Sequence, residues 1–99
     1  MKLLVNYHHM EKSAALDDLI ELKCKRLFQK YGMRGKVTWT IKKEHNDFST
    51  EVHYHYHGHD LHAQSTSEDP YKTIEPNLSK MEKQLEKHLT RDRIHENRV

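Results

Sequence analysis

The sequence predicts an α+β fold: a two-layer β-α-β-β-β-α sandwich in which a four-stranded mixed sheet carries two helices on one face. Three observations predict it. Two stretches, residues 14–31 and 69–91, repeat apolar residues every three or four positions, as amphipathic helices do. Short segments before and between them alternate apolar and polar residues, as half-buried strands do. The polar alternates of those strands are mostly Lys, Thr and His, so only one sheet face is left to receive both helices.

The first strand is KLLVN, residues 2–6, with Leu3 and Val5 facing inward. Ser13 is a natural N-cap for a helix from Ala14 to Tyr31, Asp17 and Asp18 lie near its positive end, and Gly32 suits the C′ position. Leu16, Ile20, Leu27 and Tyr31 line its expected core side, joined by Cys24 and partly by Leu19 and Phe28. The second strand, residues 36–43, turns Val37, Trp39 and Ile41 to one face; EHND, residues 44–47, is the next turn. From Phe48 to His57 a third strand places Val52, Tyr54 and Tyr56 on one side and His53, His55 and His57 on the other. HGHD makes a tight connection with Gly58 able to take positive φ. A fourth strand begins at Leu61 and Ala63 and is expected to fade into QSTSE.

Asp69 caps the last helix and Pro70 fits its first position. Ile74, Leu78, Met81, Leu85 and Leu89 form its apolar stripe. Pro76 predicts a kink or a loose first turn, because inside a regular helix it would cost about 3 kcal/mol. Strand-helix-strand order favours a right-handed crossover between parallel neighbours, followed by an antiparallel meander.

The 99 residues suffice for one domain, assigned to residues 1–95 with a short tail at 96–99. The chain is 32% charged and 34% hydrophobic, but its apolar residues are periodic, which argues for folding rather than disorder. No signal peptide or membrane span is visible, and a single cysteine, Cys24, excludes an internal disulfide and suits a reducing cytoplasm. Cys24 reads as a small buried hydrophobe. With a net charge of only +2, nucleic-acid binding must rest on where charge is placed.

Both helices sort their charges. At roughly 100° per residue, Lys80, Lys83, Lys87 and Arg91 fall on one flank of the second helix, and Glu75, Glu82 and Glu86 on the other. On the first helix Lys23, Arg26 and Lys30 share a flank, opposite Asp17 and Glu21. Such basic rows suit the phosphates of a nucleic-acid backbone and give salt-sensitive, sequence-poor binding. The element order is close to that of double-stranded RNA-binding domains. Two other readings compete: the basic flank of one helix faces the acidic flank of the other, or the rows are plain solvated faces.

The HYHYHGHDLH run invites a metal reading, with His53, His55 and His57 on one strand face and His62 across the hairpin. Against it, no Asp or Glu stands at an obvious supporting position and three in-line histidines overspan one tetrahedral site. No metal site is therefore assigned, and a zinc-responsive module on these histidines is the alternative function. A protein-interaction domain using the open sheet face is a third. No catalytic motif is present and no enzyme activity is expected. Ten histidines predict tighter RNA binding in acid.

Several segments, taken together, resemble a known family almost end to end: the opening strand, SAALDDLIELKCKRLFQKYG, HGHDLHA, and DPYKTI followed by KMEKQLEKH. The chain is similar to the short ribosome hibernation promoting factors, relatives of the ribosome-associated translation inhibitors. Asp69, Tyr71, Lys80, Gln84, Leu85, Lys87 and His88 match that family's last-helix pattern, whereas Pro70, Pro76 and the histidine-dense third strand depart from it. The resemblance implies the same fold and binding to 16S-type rRNA of the small ribosomal subunit, in the mRNA and tRNA channel at the decoding region. It implies RNA contacts through Lys23, Arg26, Lys30, Lys80, Lys83, Lys87, His88 and Arg91. It also implies the short form, without the dimerisation domain of the long hibernation factors. The expectation is a cytoplasmic monomer when free, with no cofactor and no DNA or membrane partner.

Overall fold

The computed structural model describes the backbone of residues 2–32, 34–56 and 58–96, and the side chains of these except 56 and 89–96. The elements are β1 (Lys2–His8), α1 (Ala14–Tyr31), β2 (Lys36–Glu44), β3 (Asp47–Tyr56), β4 (His59–Ser67), a single 3-10 turn (Pro70–Thr73) and α2 (Ile74–Glu96). One sheet has the order β1-β2-β3-β4, parallel between β1 and β2 and antiparallel thereafter. Fold class and element order agree with the sequence reading.

Local chemistry sets the boundaries. Ser13 Oγ accepts from the Leu16 N–H at 3.2 Å, and Gly32, at φ 61°, donates its N–H to the Phe28 carbonyl to close α1. His45 takes φ 55° in the two-residue turn between the paired Glu44 and Asp47. The fourth strand does not fade. Gln64–Ser67 pair in full register with Phe48–Glu51, because alternation continues there with Ser65 inward in place of an apolar residue.

The start of the last helix differs from the expectation: the turn that Asp69 caps and Pro70 opens is 3-10, and the α-helix begins at Ile74, before Pro76. Asp69 accepts from the Tyr71 N–H at 2.9 Å. Pro76 thus sits in the first turn of α2, where a backbone N–H has no intrahelical acceptor, so no α-helical bond is lost.

The core lies between the sheet and the helices: Val37, Trp39, Ile41, Val52, Tyr54, Leu61 and Ala63 from the strands meet Leu16, Ile20, Cys24 and Phe28 from α1 and Ile74, Met81 and Leu85 from α2. This corrects the stripe expected for α1. Phe28 is buried and Leu27 and Tyr31 are only partly so, because the 16-20-24-28 row faces the sheet and the 27-31 row faces α2. Cys24 is buried as expected, its Sγ accepting from the Trp39 indole N–H at 3.1 Å. Burial pushes its thiol up to about 11, against the smaller lowering effect of that hydrogen bond.

A buried polar cluster was not foreseen. Asn77 is completely buried on α2; it donates to the Thr50 carbonyl at 2.9 Å and accepts from the Ser65 hydroxyl at 2.7 Å. The Thr73 hydroxyl lies 2.6 Å from both Thr50 Oγ1 and the Pro70 carbonyl, so the turn that opens α2 is bonded to the sheet beneath it.

Candidate nucleic-acid interface

The topology decides which charged flanks meet. β1, β2 and β4 run in one direction, and each helix returns antiparallel to the strand before it, so α1 and α2 run parallel. Parallel neighbours whose charges are sorted in the same sense place the basic flank of one against the acidic flank of the other. That is the observed arrangement. The Lys23 ammonium donates to Glu75 Oε1, and the Lys30 ammonium to Glu82 Oε1 at 2.6 Å, both across a constant offset of 52 residues. The Tyr31 hydroxyl shares its proton between Glu82 at 2.9 Å and Glu86 at 3.0 Å.

The electrostatics follow. Lys30 first, then Tyr31, hold the Glu82 carboxyl below its ordinary value, and Glu82 in turn raises Lys30. Burial and the two carboxylates push the Tyr31 phenol upward. Arg26 lines the same open groove between the helices, with Leu27 and Leu78 at its floor, and has no acidic partner among the described residues. One of the two competing readings therefore applies to α1: two of its three basic residues face, and are locally compensated by, the acidic flank of α2.

The outer flanks differ. Beyond β1, α1 presents Asp17 and Glu21 beside Leu3, Leu4 and Val5, with Tyr7 donating to Asp17 at 2.8 Å. That contact and burial raise the Tyr7 phenol, burial being the larger cause. Beyond β4, α2 presents Lys80, Lys83 and Lys87, all exposed and none paired with an acid among the described residues. On the β1 side Lys12 lies 3.6 Å from Asp17, so the charge there is mixed, whereas the α2 lysines form a basic row on the β4 side.

The basic side also closes an exposed strand edge. Gln84 donates to the His62 carbonyl at 2.7 Å and accepts from the His62 N–H at 3.3 Å, and Lys80 donates to the Gln64 carbonyl. Outward-facing backbone groups of β4 are thereby satisfied, which guards an edge that would otherwise template another strand. His88 lies slightly off the row, its ring centroid 4.8 Å from that of His59. Arg91, the last expected site residue, has its side chain outside the described residues, as does Leu89 of the stripe.

On the open face of the sheet, Glu51 stands beside His53 and His62. The sequence reading overlooked Glu51, although alternation two residues before His53 puts it on the same face. It overlooked Asn77 and Gln84 as contact-making residues too, because a polar residue on a helix carries no sign of what it will meet.

No helix among the described residues is long and apolar enough to cross a membrane. Comparison with known proteins agrees with the architecture. A ribosome hibernation promoting factor from Klebsiella oxytoca is 26% identical over 95 residues, covering 96% of this chain and all of that protein. The Escherichia coli K12 protein of the same name is 25% identical over the same coverage. Among solved structures, a ribosomal subunit interface protein from Coxiella burnetii superposes with a TM-score of 0.84 at 23% identity, covering 91% of this chain and 99% of that one. The N-terminal domain of Protein Y from Thermus thermophilus gives 0.80 at 17% identity, covering 89% and 99%. The model of the Sigma 54 modulation protein / S30EA ribosomal protein family matches residues 3–93, and the chain belongs to that family.

Proposed function

We propose that the protein is a non-enzymatic ribosome hibernation factor of the cytoplasm. It binds the small ribosomal subunit in the mRNA and tRNA decoding channel, blocks translation and preserves idle ribosomes. Family membership and the name shared by the curated relatives support the ribosomal part. The observation that carries the mode of binding is the exposed row Lys80, Lys83 and Lys87 along the β4 side of α2, which has no acidic partner among the described residues. A row of ammonium groups about one turn apart matches a phosphate backbone and needs no base readout.

The same geometry ranks the expected contacts. The α2 lysine row is the main RNA surface, with His88 beside it and Arg91 the next position of the same flank in sequence. Arg26 has no acidic partner among the described residues, while Lys23 and Lys30 contribute less because Glu75 and Glu82 already neutralise them.

Cosedimentation with purified small subunits across a salt series tests this reading. Each phosphate contact contributes a log-log salt slope of about 0.7–0.9, so reversing Lys83 and Lys87 to Glu weakens binding roughly fifty-fold near 0.1 M salt. Exchanging Lys23 with Glu75 preserves that ion pair and leaves binding within about three-fold, since no net phosphate contact is removed. Indifference to the Lys83→Glu, Lys87→Glu pair refutes the surface. Simultaneous, non-competitive occupancy by mRNA with initiator tRNA refutes the channel.

A further inference from the structure

The face of the sheet turned away from the helices carries a second constellation. Val52 and Tyr54 are buried against the helices, so Glu51 and His53, which alternate with them, point outward; His62 does the same between the buried Leu61 and Ala63. His53 and His62 are directly opposed in the β3–β4 register, their ring centroids 4.4 Å apart. Both Nε2 atoms aim at a single carboxylate oxygen, Glu51 Oε2, at 3.5 Å from His53 and 3.9 Å from His62.

These distances are informative. They are too long for hydrogen bonds, whose N···O separations fall near 2.7–3.2 Å, so the three atoms surround a gap rather than bond to one another. Bonds of about 2.0–2.1 Å in a tetrahedral zinc site separate the ligand atoms by roughly 3.3 Å. The three atoms all lie within 4.8 Å of one another, and the two contacts to Glu51 Oε2, 3.5 and 3.9 Å, are close to that tetrahedral spacing. The neighbouring His55 is engaged differently. Its Nδ1 is 2.6 Å from Asp60 Oδ1, a direct pair with no room between the partners.

We propose that Glu51, His53 and His62 form a binding site for a divalent transition metal of the zinc class. Two imidazole nitrogens and one carboxylate oxygen, without a thiolate, favour Zn²⁺ and its neighbours over Cu⁺, and the imidazoles disfavour Mg²⁺ and Ca²⁺. Three protein ligands leave at least one coordination position for water. The side chains are 42–46% exposed, so the ion exchanges with solvent instead of being locked into the fold. Bound metal would join β3 to β4 on the face opposite the helices. The site stands independently of the ribosomal reading, because it shares no residue with the lysine row.

Of the histidines the sequence offered, the proposed set takes His53 and the cross-hairpin His62, while His57 lies outside the described residues. The set is cross-strand, and its carboxylate comes from two residues upstream.

Calorimetric titration of the full chain with Zn²⁺ in a non-chelating buffer tests the site, with His55→Ala as the control for the other histidines. The expected result is one equivalent bound by the wild type and by His55→Ala. His53→Ala and His62→Ala weaken that equivalent by at least about tenfold, a removed ligand costing no less than a lost supporting contact. Glu51→Gln weakens it without altering the fold, as its circular dichroism will report. Zinc-induced shifts in the imidazole NMR signals are expected at His53 and His62. Absence of a stoichiometric site overturns the proposal. So does a site that survives His53→Ala and His62→Ala, or one that disappears with His55→Ala alone.

Discussion

Replacing Asn77 by Ala probes how α2 is fixed to the sheet. Two hydrogen bonds disappear, to the Thr50 carbonyl and from the Ser65 hydroxyl, each contributing about 1 kcal/mol. The vacated volume is fully buried and adds a cavity cost of about 1 kcal/mol, partly offset by the better helix propensity of Ala, about 0.6 kcal/mol. The expected net loss is about 2 kcal/mol, which lowers Tm by roughly 8–10 °C in a domain of this size. Urea denaturation followed by far-UV circular dichroism measures it. Asn77→Asp supplies a sharper check, since its carboxylate would face the Thr50 carbonyl in a fully buried site. Burial raises the titration point of that carboxyl above its unfolded value of about 3.9. The variant is therefore nearest the wild type below that value, and loses stability as pH rises through the folded one. An Ala variant within about 0.5 kcal/mol of the wild type, the range of an ordinary surface position, refutes the reasoning. So does an Asp variant that gains on the wild type as pH rises.

Other expectations follow from single contacts. The lowered Glu82 carboxyl contributes stability at and above the ordinary glutamate range, and that contribution is lost as pH falls through its folded value. Glu82→Gln should flatten the acid limb of the stability curve below about pH 4.3, and an unchanged limb would remove Glu82 from the account. Cys24, at about 11 and 2% exposed, should resist iodoacetamide at pH 8 until denaturant is added; labelling of the native protein at the rate of a free thiol contradicts its burial. Gln84→Ala uncovers the β4 edge, costing about 1 kcal/mol and accelerating amide exchange at His62; unchanged protection there would show that Gln84 does not cap the edge.

The basic row and the two histidines illustrate how position acquires meaning. Lys23 and Lys83 occupy equivalent flanks of two similarly sorted helices, yet one faces a glutamate and the other faces solvent. His53 and His55 are equivalent along one strand, yet one opposes His62 and the other opposes Asp60.

Periodicity and local caps determined the order and type of the main elements, though not the full length of β4 or the 3-10 turn before α2. The 3.6-residue stripes, the two-residue alternations, the Ser13 and Asp69 caps and Gly32 are local features, and local hydrogen bonding and burial read them directly. The charge sorting of both helices was equally visible, as was the burial of Cys24. Which flank of α1 meets which flank of α2 was not, because it depends on the two helices lying parallel on one sheet face. The partners of Asn77 and Gln84, and the closing of Glu51 on His53 and His62, likewise depend on strand register and helix placement. Sequence spacing records what shares a face of one element. Only packing decides what that face meets, since the energy of a charge, an amide or an imidazole is set by the neighbour it gains.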